Sequence, residues 1–542
     1  MAAKVDYDAL VVGAGFSGIY QCSTLRNLGL TVKVIDAASD VGGTWYWNRY
    51  PGAMSDTESF VYRFTWDKED LQTYPWSHHY VKQPEVLKYL QHVVERHDLR
   101  KHMQFNTQLA SAAWDNTSHT WLCQLKANDS GDTTPVRVRY LITALGLLSK
   151  QNFPAIEGLE TFKGAITHTG SWKPDLDVAG KRVGVIGCGS TGVQVVTDLA
   201  SKVKTLISFQ RNPQYSVPSG DRPVEPGYRE SVNAQYDTIM ENNKKTICGF
   251  GFTEATKSFN DYTPEEREQI FEDLWNKGNG FRFMFGGFSD LTTNRDANKA
   301  ACDFIKRKIA QIVKDPEKAR KLMPDELYAR RPLCDGGYYE QFNRDNVQIV
   351  DLKETPITQI VPEGIVTADG TTHELDVIVF ATGFDAIDGN YTRLHIQGRN
   401  PGETLKDHWN PTGPRAYMGV SVAGFPNLFL ITGPQGAFCN IPLLIESHVE
   451  FVTRIIEEAE KRHVSVVEAS QADEDAWVEL CEKFTEGSIF KEAQSWIFGA
   501  NVPGKKVATR FYFGGLGNYR NELQKVVDDG FRGFPSLTTV SA

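Results

Sequence analysis

The chain contains 542 residues, of which 41% are hydrophobic and 23% are charged. This length exceeds what a single core supports and predicts two or three globular domains. The formal net charge of -10 argues against nucleic acid or an anionic membrane surface as the main partner.

Neither a transmembrane helix nor a secretion signal is expected. The sequence has no apolar run long enough to span a membrane, and its first residues lack an apolar stretch before a cleavage site. The eight cysteines are scattered and form no C-x-x-C pair, which excludes a redox dithiol and a zinc ribbon. Scattered thiols are typical of the reducing cytoplasm. We therefore expect a cytoplasmic protein without a metal site, and its oligomeric state stays open.

The first predicted element is a βαβ unit near the N-terminus. Residues 9–12 form an apolar run typical of a buried parallel strand, and the turn Gly13-Ala14-Gly15-Phe16-Ser17-Gly18 follows it directly. A helix and a second strand at residues 31–35 come next, and that strand ends at Asp36. A G-x-G-x-x-G turn between strand and helix is the context of a dinucleotide-binding site.

A second unit with the same plan begins near residue 183. The apolar run 183–186 precedes the turn Gly187-Cys188-Gly189-Ser190-Thr191-Gly192, and the next strand covers residues 205–209. That strand ends at Gln210 and Arg211. Two such units predict two Rossmann-like domains.

The two strand ends select different nucleotides. A carboxylate at Asp36 can accept hydrogen bonds from both ribose hydroxyls, whereas a guanidinium at Arg211 pairs with a 2′-phosphate. The alternative is that both residues are merely solvated. The pattern predicts FAD at the first site and NADPH at the second.

The rest of the chain completes the two domains. Residues 225–330 contain helical periodicity with acidic first turns, as in 264–275, with similar stretches at 303–313 and 316–323, which predicts a helical insertion. Strands at 140–146 and 377–383 end in Gly146 and Gly383, which are candidate hinges where the chain crosses between domains. The predicted fold is α/β with two Rossmann-like dinucleotide-binding domains and a helical insertion in the second. We assign 1–145 and 384–542 to a discontinuous FAD-binding domain, 146–224 and 331–383 to the NADP-binding domain, and 225–330 to the insertion.

A segment between the two glycine-rich turns carries a family resemblance. Residues Phe162, Gly164, His168 and Trp172 fit the pattern F-x-G-x-x-x-H-x-x-x-W, although Lys173 departs from the usual next residue. This resembles the signature of type I Baeyer-Villiger monooxygenases. Residues 42–45, 50–52 and Asp56 resemble a longer pattern of the same family, and the resemblance extends from about residue 8 to about 530. It is closest to the cyclohexanone monooxygenase subgroup, on the stretches 329–335 and 494–501.

The resemblance implies an NADPH-dependent enzyme that converts ketones, including cyclic ketones, to esters or lactones with O2 through a flavin peroxide. It implies that Arg331 is catalytic because a permanent cation stabilises the anionic peroxide and the adduct. Asp56 resembles the carboxylate that holds this arginine. Arg330 stands where the family usually has lysine. His168 and Trp172 are interpreted as hinge or linker residues rather than catalysts.

Further site residues are carried over by position. FAD is expected at Gly13, Gly15, Phe16, Ser17, Gly18, Asp36, Gly43, Thr44, Trp45, Trp47, Asp56, Tyr62 and Leu109. NADP is expected at Ser55, Thr57, Gly187, Gly189, Ser190, Thr191, Gly192, Gln210, Arg211, Arg330 and Trp496. The substrate pocket is expected at Phe438, Cys439, Ile441 and Phe511, and the departures at Ala437, Cys439 and Ile441 leave the preferred ketone open.

Two other functions fit the same glycine-rich turns. One is a flavin monooxygenase that oxygenates nitrogen or sulfur. The other is a non-catalytic flavoprotein that senses redox state, against which the pairing of Asp56 with Arg331 argues. Product analysis with a cyclic ketone and an amine distinguishes the first alternative from a ketone monooxygenase. Ketone-stimulated consumption of NADPH would exclude the second.

Overall fold

The computed structural model describes residues 4–538. The predicted FAD-binding domain begins at residue 1 and ends at residue 542, and these two bounds lie outside the described residues. Within it the strands, numbered in chain order, are β1 Tyr7–Val12, β2 Val32–Ile35, β3 Met103–Gln104, β4 Thr107–Asp115, β5 Thr120–Ala127, β6 Thr133–Thr143, β7 Ala165–His168, β8 Arg182–Ile186, β9 Thr205–Gln210, β10 Ser216–Pro218, β11 Leu333–Asp335, β12 Val347–Asp351, β13 Ile357–Val361, β14 Gly364–Thr367, β15 Thr372–Glu374, β16 Val377–Phe380, β17 His395–Gln397, β18 Leu428–Leu430, β19 Gly436–Ala437 and β20 Phe511–Tyr512.

The helices of the same range are numbered in the same way. They are α1 Phe16–Asn27, α2 Thr44–Trp47, α3 Lys68–Thr73, α4 Gln83–Arg96, α5 Ser190–Leu199, α6 Tyr228–Asn233, α7 Tyr236–Asn243, α8 Pro264–Lys277, α9 Gly280–Phe285, α10 Arg295–Ile312, α11 Pro316–Leu322, α12 Tyr338–Gln341, α13 Asp388–Tyr391, α14 Leu405–Trp409, α15 Ile441–Lys461, α16 Gln471–Lys483, α17 Leu516–Asp528 and α18 Pro535–Thr538.

The first sheet combines strands from both ends of the chain. Its order is β17-β4-β5-β6-β1-β2-β3, with β18 also paired with β6. Strand β1 lies parallel to β2 and β6, while β4, β5 and β6 form an antiparallel meander. Helices α1 and α15 contribute Ile19, Leu25, Val449 and Ile456 to a shared buried core. The C-terminal part of the chain therefore returns to complete this sheet.

The second sheet is parallel throughout, in the order β12-β9-β8-β16-β7. Val183 and Val185 of β8 are fully buried, and so are Leu206 and Phe209 of β9. Strands covered on both faces need continuous apolar sequence, which is the pattern of residues 183–186.

The two sheets form their glycine-rich turns in the same way. The Gly13 amide donates to the Ile35 carbonyl (2.8 Å), and the Gly187 amide donates to the Phe209 carbonyl (2.9 Å). Both glycines have positive φ, +115° and +108°. A Cβ at Gly13 would lie 2.3 Å from the Ala144 carbonyl oxygen, and one at Gly187 would lie 2.5 Å from that of Ala381. Only glycine fits either position.

Helices α6 to α11 lie between β10 and β11, which pair in parallel. The helical segment α6 to α11 therefore begins and ends at the same pair of strands. Thr263 caps α8 through a capping box with Glu266. The sequence prediction located the helices at α8 and α11 but only the second half of α10, since that helix begins at Arg295, after the cap residue Asn294.

Two chain crossings connect the sheets side by side. Main-chain hydrogen bonds join Ile387 to Leu147 (2.8 Å), Asp385 to Lys150 (2.8 Å) and Asn152 to Gly383 (3.0 Å). Among residues 4–538, no helix combines the length and apolar character that crossing a membrane requires. The same residues contain no cluster of His, Cys, Asp or Glu that could hold a metal ion.

Candidate active site

Arg331 and Asp56 form an ion pair between distant parts of the chain. Arg331 lies just before β11, and Asp56 lies in the loop between α2 and α3. An Nη2 hydrogen of Arg331 is donated to Oδ2 of Asp56 at 2.5 Å. The Asp56 side chain is 7% exposed and that of Arg331 is 27% exposed. The structure thus joins the two residues that the sequence assigned to catalysis.

The surroundings keep the guanidinium charged and limit its directions. Burial lowers the pKa of Arg331, but the Asp56 carboxylate outweighs this and holds the pKa above its usual value. The guanidinium carbon lies 5.0 Å from the centre of the Phe281 ring. Its Nη1 also donates to the Pro332 carbonyl at 3.2 Å. The Asp56 carboxylate, this carbonyl and the Phe281 ring together restrict the direction of the guanidinium, which has five N–H donors in all.

The second oxygen of Asp56 stands out among the described residues. Oδ1 is buried and has no hydrogen-bond partner among them. A buried carboxylate oxygen without a donor is costly, so it indicates a position where a ligand supplies one. Ser55 and Thr57 flank Asp56, and the Ser55 hydroxyl bonds to the main chain of Thr57.

The first glycine-rich turn leaves the start of α1 open. The cap residue Gly15 offers no side-chain bond to the first amides of the helix, which comprise Phe16, Ser17 and Gly18. Gly43 lies opposite with φ +52°, and a Cβ on it would be 2.9 Å from Cα of Gly15. Two main-chain turns therefore face each other without side chains between them.

Asp36 ends β2 beside this turn. Its Oδ2 accepts from the Ala14 amide (2.6 Å) and its Oδ1 accepts from the Ala38 amide (2.8 Å). Burial raises the pKa of Asp36. Each oxygen retains a lone pair, so both can still accept a ribose hydroxyl.

The other residues expected around FAD lie in different surroundings. The indole N–H of Trp45 donates to the Tyr62 hydroxyl at 3.1 Å. Thr44 begins α2, and Trp47, at its end, is 40% exposed. Leu109 packs in a separate apolar cluster with residues from the ends of β1 and β2.

The second glycine-rich turn has more free space than the first. A Cβ on Gly189 would meet only Nε2 of Gln214, at 3.7 Å, while one on Gly192 would lie 2.2 Å from the Gly187 carbonyl oxygen. Helix α5 begins at Ser190 and Thr191, again without a side-chain cap. The amides at its start are available to an anion.

The residues expected around the 2′-phosphate lie beyond β9. Gln210 is buried and donates to the Lys321 carbonyl (2.7 Å). Arg211 is exposed and forms no ion pair with any residue of the range 4–538. Arg330 is bound to Glu326, at 2.6 Å. Of the two arginines, Arg211 is the one whose charge is not already neutralised.

The signature residues lie where the second sheet meets the crossings. His168 ends β7 and its Nδ1 accepts from the Gly170 amide (3.0 Å), while Nε2 is buried without a partner among the described residues. Burial lowers the pKa of His168 to about 4. The Thr169 hydroxyl reaches that of Thr191 in the second turn (3.3 Å).

The other signature residues are packing residues. Trp172 and Phe162 are buried in two different cores, and a Cβ on Gly164 would lie 2.4 Å from the Asp376 carbonyl oxygen. Gly146 and Gly383, on the crossings, have φ of +69° and +75° with open space around them.

Three of the residues expected near the substrate or NADP form one aromatic cluster. The ring of Phe511 packs edge-on against Phe438 (5.3 Å) and Trp496 (5.8 Å). Cys439 is buried next to Phe438, and Ile441 begins α15. The amide of Asn440 donates to the Cys248 carbonyl at 2.7 Å, which connects this cluster to the helical segment.

The sequence interpretation missed the residues that the helical segment contributes. Phe250 stacks on Phe281 at 4.1 Å, in a cluster with Cys248 and Cys334. Asn279 precedes Phe281 and bonds to the main chain of Asp56. The only sequence signal was the aromatic run 281–285 after Asn279-Gly280, which is also typical of an ordinary core.

Comparisons with known proteins agree with this geometry. Residues 7–240 match the family model described as flavin-binding monooxygenase-like. The chain is 48% identical to a Baeyer-Villiger monooxygenase of Pseudooceanicola batsensis, over 97% of this chain and 95% of that protein. It is 46% identical to the phenazine N-monooxygenase PhzNO1 of Lysobacter antibioticus, over 98% and 97%. The crystal structure of cyclohexanone monooxygenase from Rhodococcus sp. Phi1 bound to NADP+ superposes with a TM-score of 0.95 at 50% identity, over 97% and 98%.

The chain belongs to the flavin-binding Baeyer-Villiger monooxygenases. The predicted α/β fold class and family resemblance are thereby confirmed. The residues present also fit the cofactors of this family. Helices α1 and α5 each begin without a side-chain cap at a turn where glycine leaves room for a ligand. Oδ1 of Asp56 is buried and accepts no hydrogen bond from the described residues. A flavin dinucleotide at the first turn and a nicotinamide dinucleotide at the second satisfy these features.

Proposed function

We propose that this protein is an FAD-containing, NADPH-dependent monooxygenase that inserts one oxygen atom of O2 beside a ketone carbonyl. The products are esters, or lactones when the ketone is cyclic. The observation that carries the proposal is the Arg331–Asp56 ion pair, in which the guanidinium is held by a buried carboxylate and by the Pro332 carbonyl. Family membership supports the same reaction.

Bound FAD, once reduced by NADPH, supplies the activated oxygen. The chain contributes a cation that stays charged at any working pH, because a guanidinium does not lose its proton in proteins. Arg331 stabilises the negative charge that develops on the carbonyl oxygen of the ketone, and Asp56 fixes its direction. The aromatic cluster of Phe438, Phe511 and Trp496 limits the access of water.

The assignment of individual residues and domains is part of the proposal. Residues around Gly13–Gly18, Asp36 and Gly43–Trp45 hold FAD, and those around Gly187–Gly192 and Arg211 hold NADPH. The described strands of the first sheet all lie in the ranges assigned to FAD binding, which supports that division. We also propose a cytoplasmic location, since the eight cysteines are free and buried.

The test is a panel of linear and cyclic ketones with purified protein, NADPH and air, read by mass spectrometry for gain of one oxygen. In Arg331→Ala, we expect bound FAD and its reduction by NADPH to persist, while ester formation falls about 10²–10³-fold. Arg331→Lys keeps a charge without the planar fork and should give an intermediate loss. Normal ester yield from Arg331→Ala would remove this residue from the reaction.

Oxygenation of nitrogen is the second candidate, and the relative named phenazine N-monooxygenase favours it. The same panel therefore includes a heteroaromatic amine and a sulfide. An N-oxide without any ester would replace the first proposal by the second. Ester and sulfoxide together would indicate one site with two activities.

A further inference from the structure

Asn279 has a backbone conformation that is unusual for its residue type. It lies between α8 and α9, is 2% exposed and has φ +77°. Its ψ of +114° lies outside the left-handed helical region in which asparagine is tolerated, so a residue with a side chain seldom adopts this conformation. Its own amide is fixed by the Pro218 carbonyl (2.7 Å). Surrounding contacts therefore hold Asn279 in a strained position.

The side-chain amide of Asn279 uses all four of its hydrogen-bonding positions. Its Oδ1 accepts from the amides of Phe281 (2.9 Å) and Arg282 (3.1 Å). Its Nδ2 donates to the main-chain carbonyl of Asp56 (2.9 Å) and to the Tyr80 hydroxyl (3.1 Å). Capping the short helix α9 explains only the first two bonds.

Two of these bonds, from the Phe281 amide and to the Asp56 carbonyl, join two of the residues that hold the guanidinium of Arg331. Asp56 provides the carboxylate that pairs with Arg331, and Phe281 provides the ring against which the guanidinium lies. The first support belongs to the loop before α3 and the second to the helical segment. A shift of one relative to the other would turn the guanidinium, because each contacts a different side of it.

We propose that Asn279 is a positioning residue for oxygen transfer, which sets the direction of the Arg331 guanidinium by holding the Asp56 main chain against the first turn of α9. The inference rests on the proposed role of Arg331. Asn279 does not contact the guanidinium itself and acts through Asp56 and Phe281. Arg282 and Glu58 form a second ion pair between the same two segments, so the segments stay joined when the amide is altered.

The decisive variant is Asn279→Asp. Aspartate has the same shape and keeps the oxygen that caps α9, but it loses both donors to Asp56 and Tyr80. We expect bound FAD and the rate of its reduction by NADPH to change less than about twofold. The share of consumed NADPH that gives H2O2 instead of ester should rise at least fivefold. An unchanged share, with only a lower melting temperature, would reduce Asn279 to a structural cap.

Two further variants serve as controls. Asn279→Gly fits the positive φ and removes all four side-chain bonds. It should give the same shift toward H2O2, and it replaces the aspartate variant in the test if that variant does not fold. Tyr80→Phe removes only the bond to the Tyr80 hydroxyl, and in this variant NADPH consumption should remain coupled to ester formation. Loss of coupling in Tyr80→Phe equal to that in Asn279→Asp would overturn the role of the Asp56 carbonyl.

Hydrogen exchange of the protein without substrate gives a readout independent of turnover. In Asn279→Asp, the amides of Phe281 and Arg282 should keep their protection while the peptide around Asp56 loses it. Equal protection of both peptides in the variant and the wild type would contradict the proposal. Should the wild type form no ester at all, the proposed function fails, while the exchange result still decides whether Asn279 holds the Asp56 loop.

Discussion

Replacing Gly189 by alanine tests the proposed NADPH site without disturbing the fold. The added Cβ would lie 3.7 Å from Nε2 of Gln214, with no other described heavy atom within 4 Å, and the backbone is not in the left-handed region. The protein should therefore keep its stability and its FAD. The second glycine of the turn is, however, the one over which the pyrophosphate approaches the main chain.

The expected loss of affinity follows from the hydrogen bonds at stake. A hydrogen bond from a main-chain amide to a charged phosphate contributes about 1.5–3 kcal/mol. The added methyl group shifts the pyrophosphate, and we expect this shift to remove about one such hydrogen bond. Each 1.4 kcal/mol is tenfold in affinity, so the dissociation constant for NADPH should rise about 10- to 150-fold. The limiting rate of hydride transfer at saturation should change far less.

Anaerobic stopped-flow reduction of bound FAD, followed by its visible absorbance across NADPH concentrations, measures both quantities. Gly336→Ala is the matched control, because its Cβ would meet only Cγ2 of Thr197 at 3.8 Å and it lies outside the turn. Gly192→Ala is the opposite control, since a Cβ 2.2 Å from the Gly187 carbonyl should damage the domain itself. Unchanged NADPH affinity in Gly189→Ala would refute the placement of the pyrophosphate.

Three other predictions use the same protein. Gly18→Ala places a Cβ 1.8 Å from the Gly13 carbonyl oxygen, so the purified variant should lack the yellow colour of bound flavin. Arg211→Ala should raise the KM for NADPH about tenfold and leave that for NADH unchanged; equal changes would exclude a 2′-phosphate contact. The pKa of His168 is about 4 when folded and about 6.5 when unfolded, so the unfolded chain binds the extra proton between these values. His168 alone should therefore lower the free energy of unfolding by about 3 kcal/mol between pH 6.5 and pH 4. His168→Asn should remove this part of the decline in melting curves against pH.

Local sequence determined much of the two glycine-rich turns. At Gly18 and Gly192 a Cβ would lie 1.8 Å and 2.2 Å from the carbonyl oxygen of the first glycine of the same turn, so the turn itself dictates the residue type there. Gly13 and Gly187 are instead excluded by the carbonyls of Ala144 and Ala381, which come from distant parts of the chain. The strand before each turn, and Asp36 or Arg211 after it, occur at short fixed spacing. Such features depend on contacts within one βαβ unit, and the sequence predicted them at the positions where the structure has them.

The pairing of Asp56 with Arg331 required a different source. The two residues are 275 positions apart, and nothing in composition or spacing joins them. The family resemblance named them together, and the structure provides the hydrogen bond. Phe281 and Asn279 had no such resemblance and were missed, because their pattern is also that of an ordinary helix packed in a core.

The strand before each glycine-rich turn, the turn and the charged residue after the next strand could be read from the sequence, because steric exclusion and hydrogen bonding over short stretches of chain largely decide them. Only the tertiary structure showed that Phe281 lies against the guanidinium of Arg331 and that Asn279 bonds to the main chain of Asp56. The helical segment leaves after β10 and returns at β11, and this path brings Asn279 and Phe281 against a loop more than 200 residues earlier in the chain. Contacts of that range depend on how whole elements pack, which no local pattern encodes.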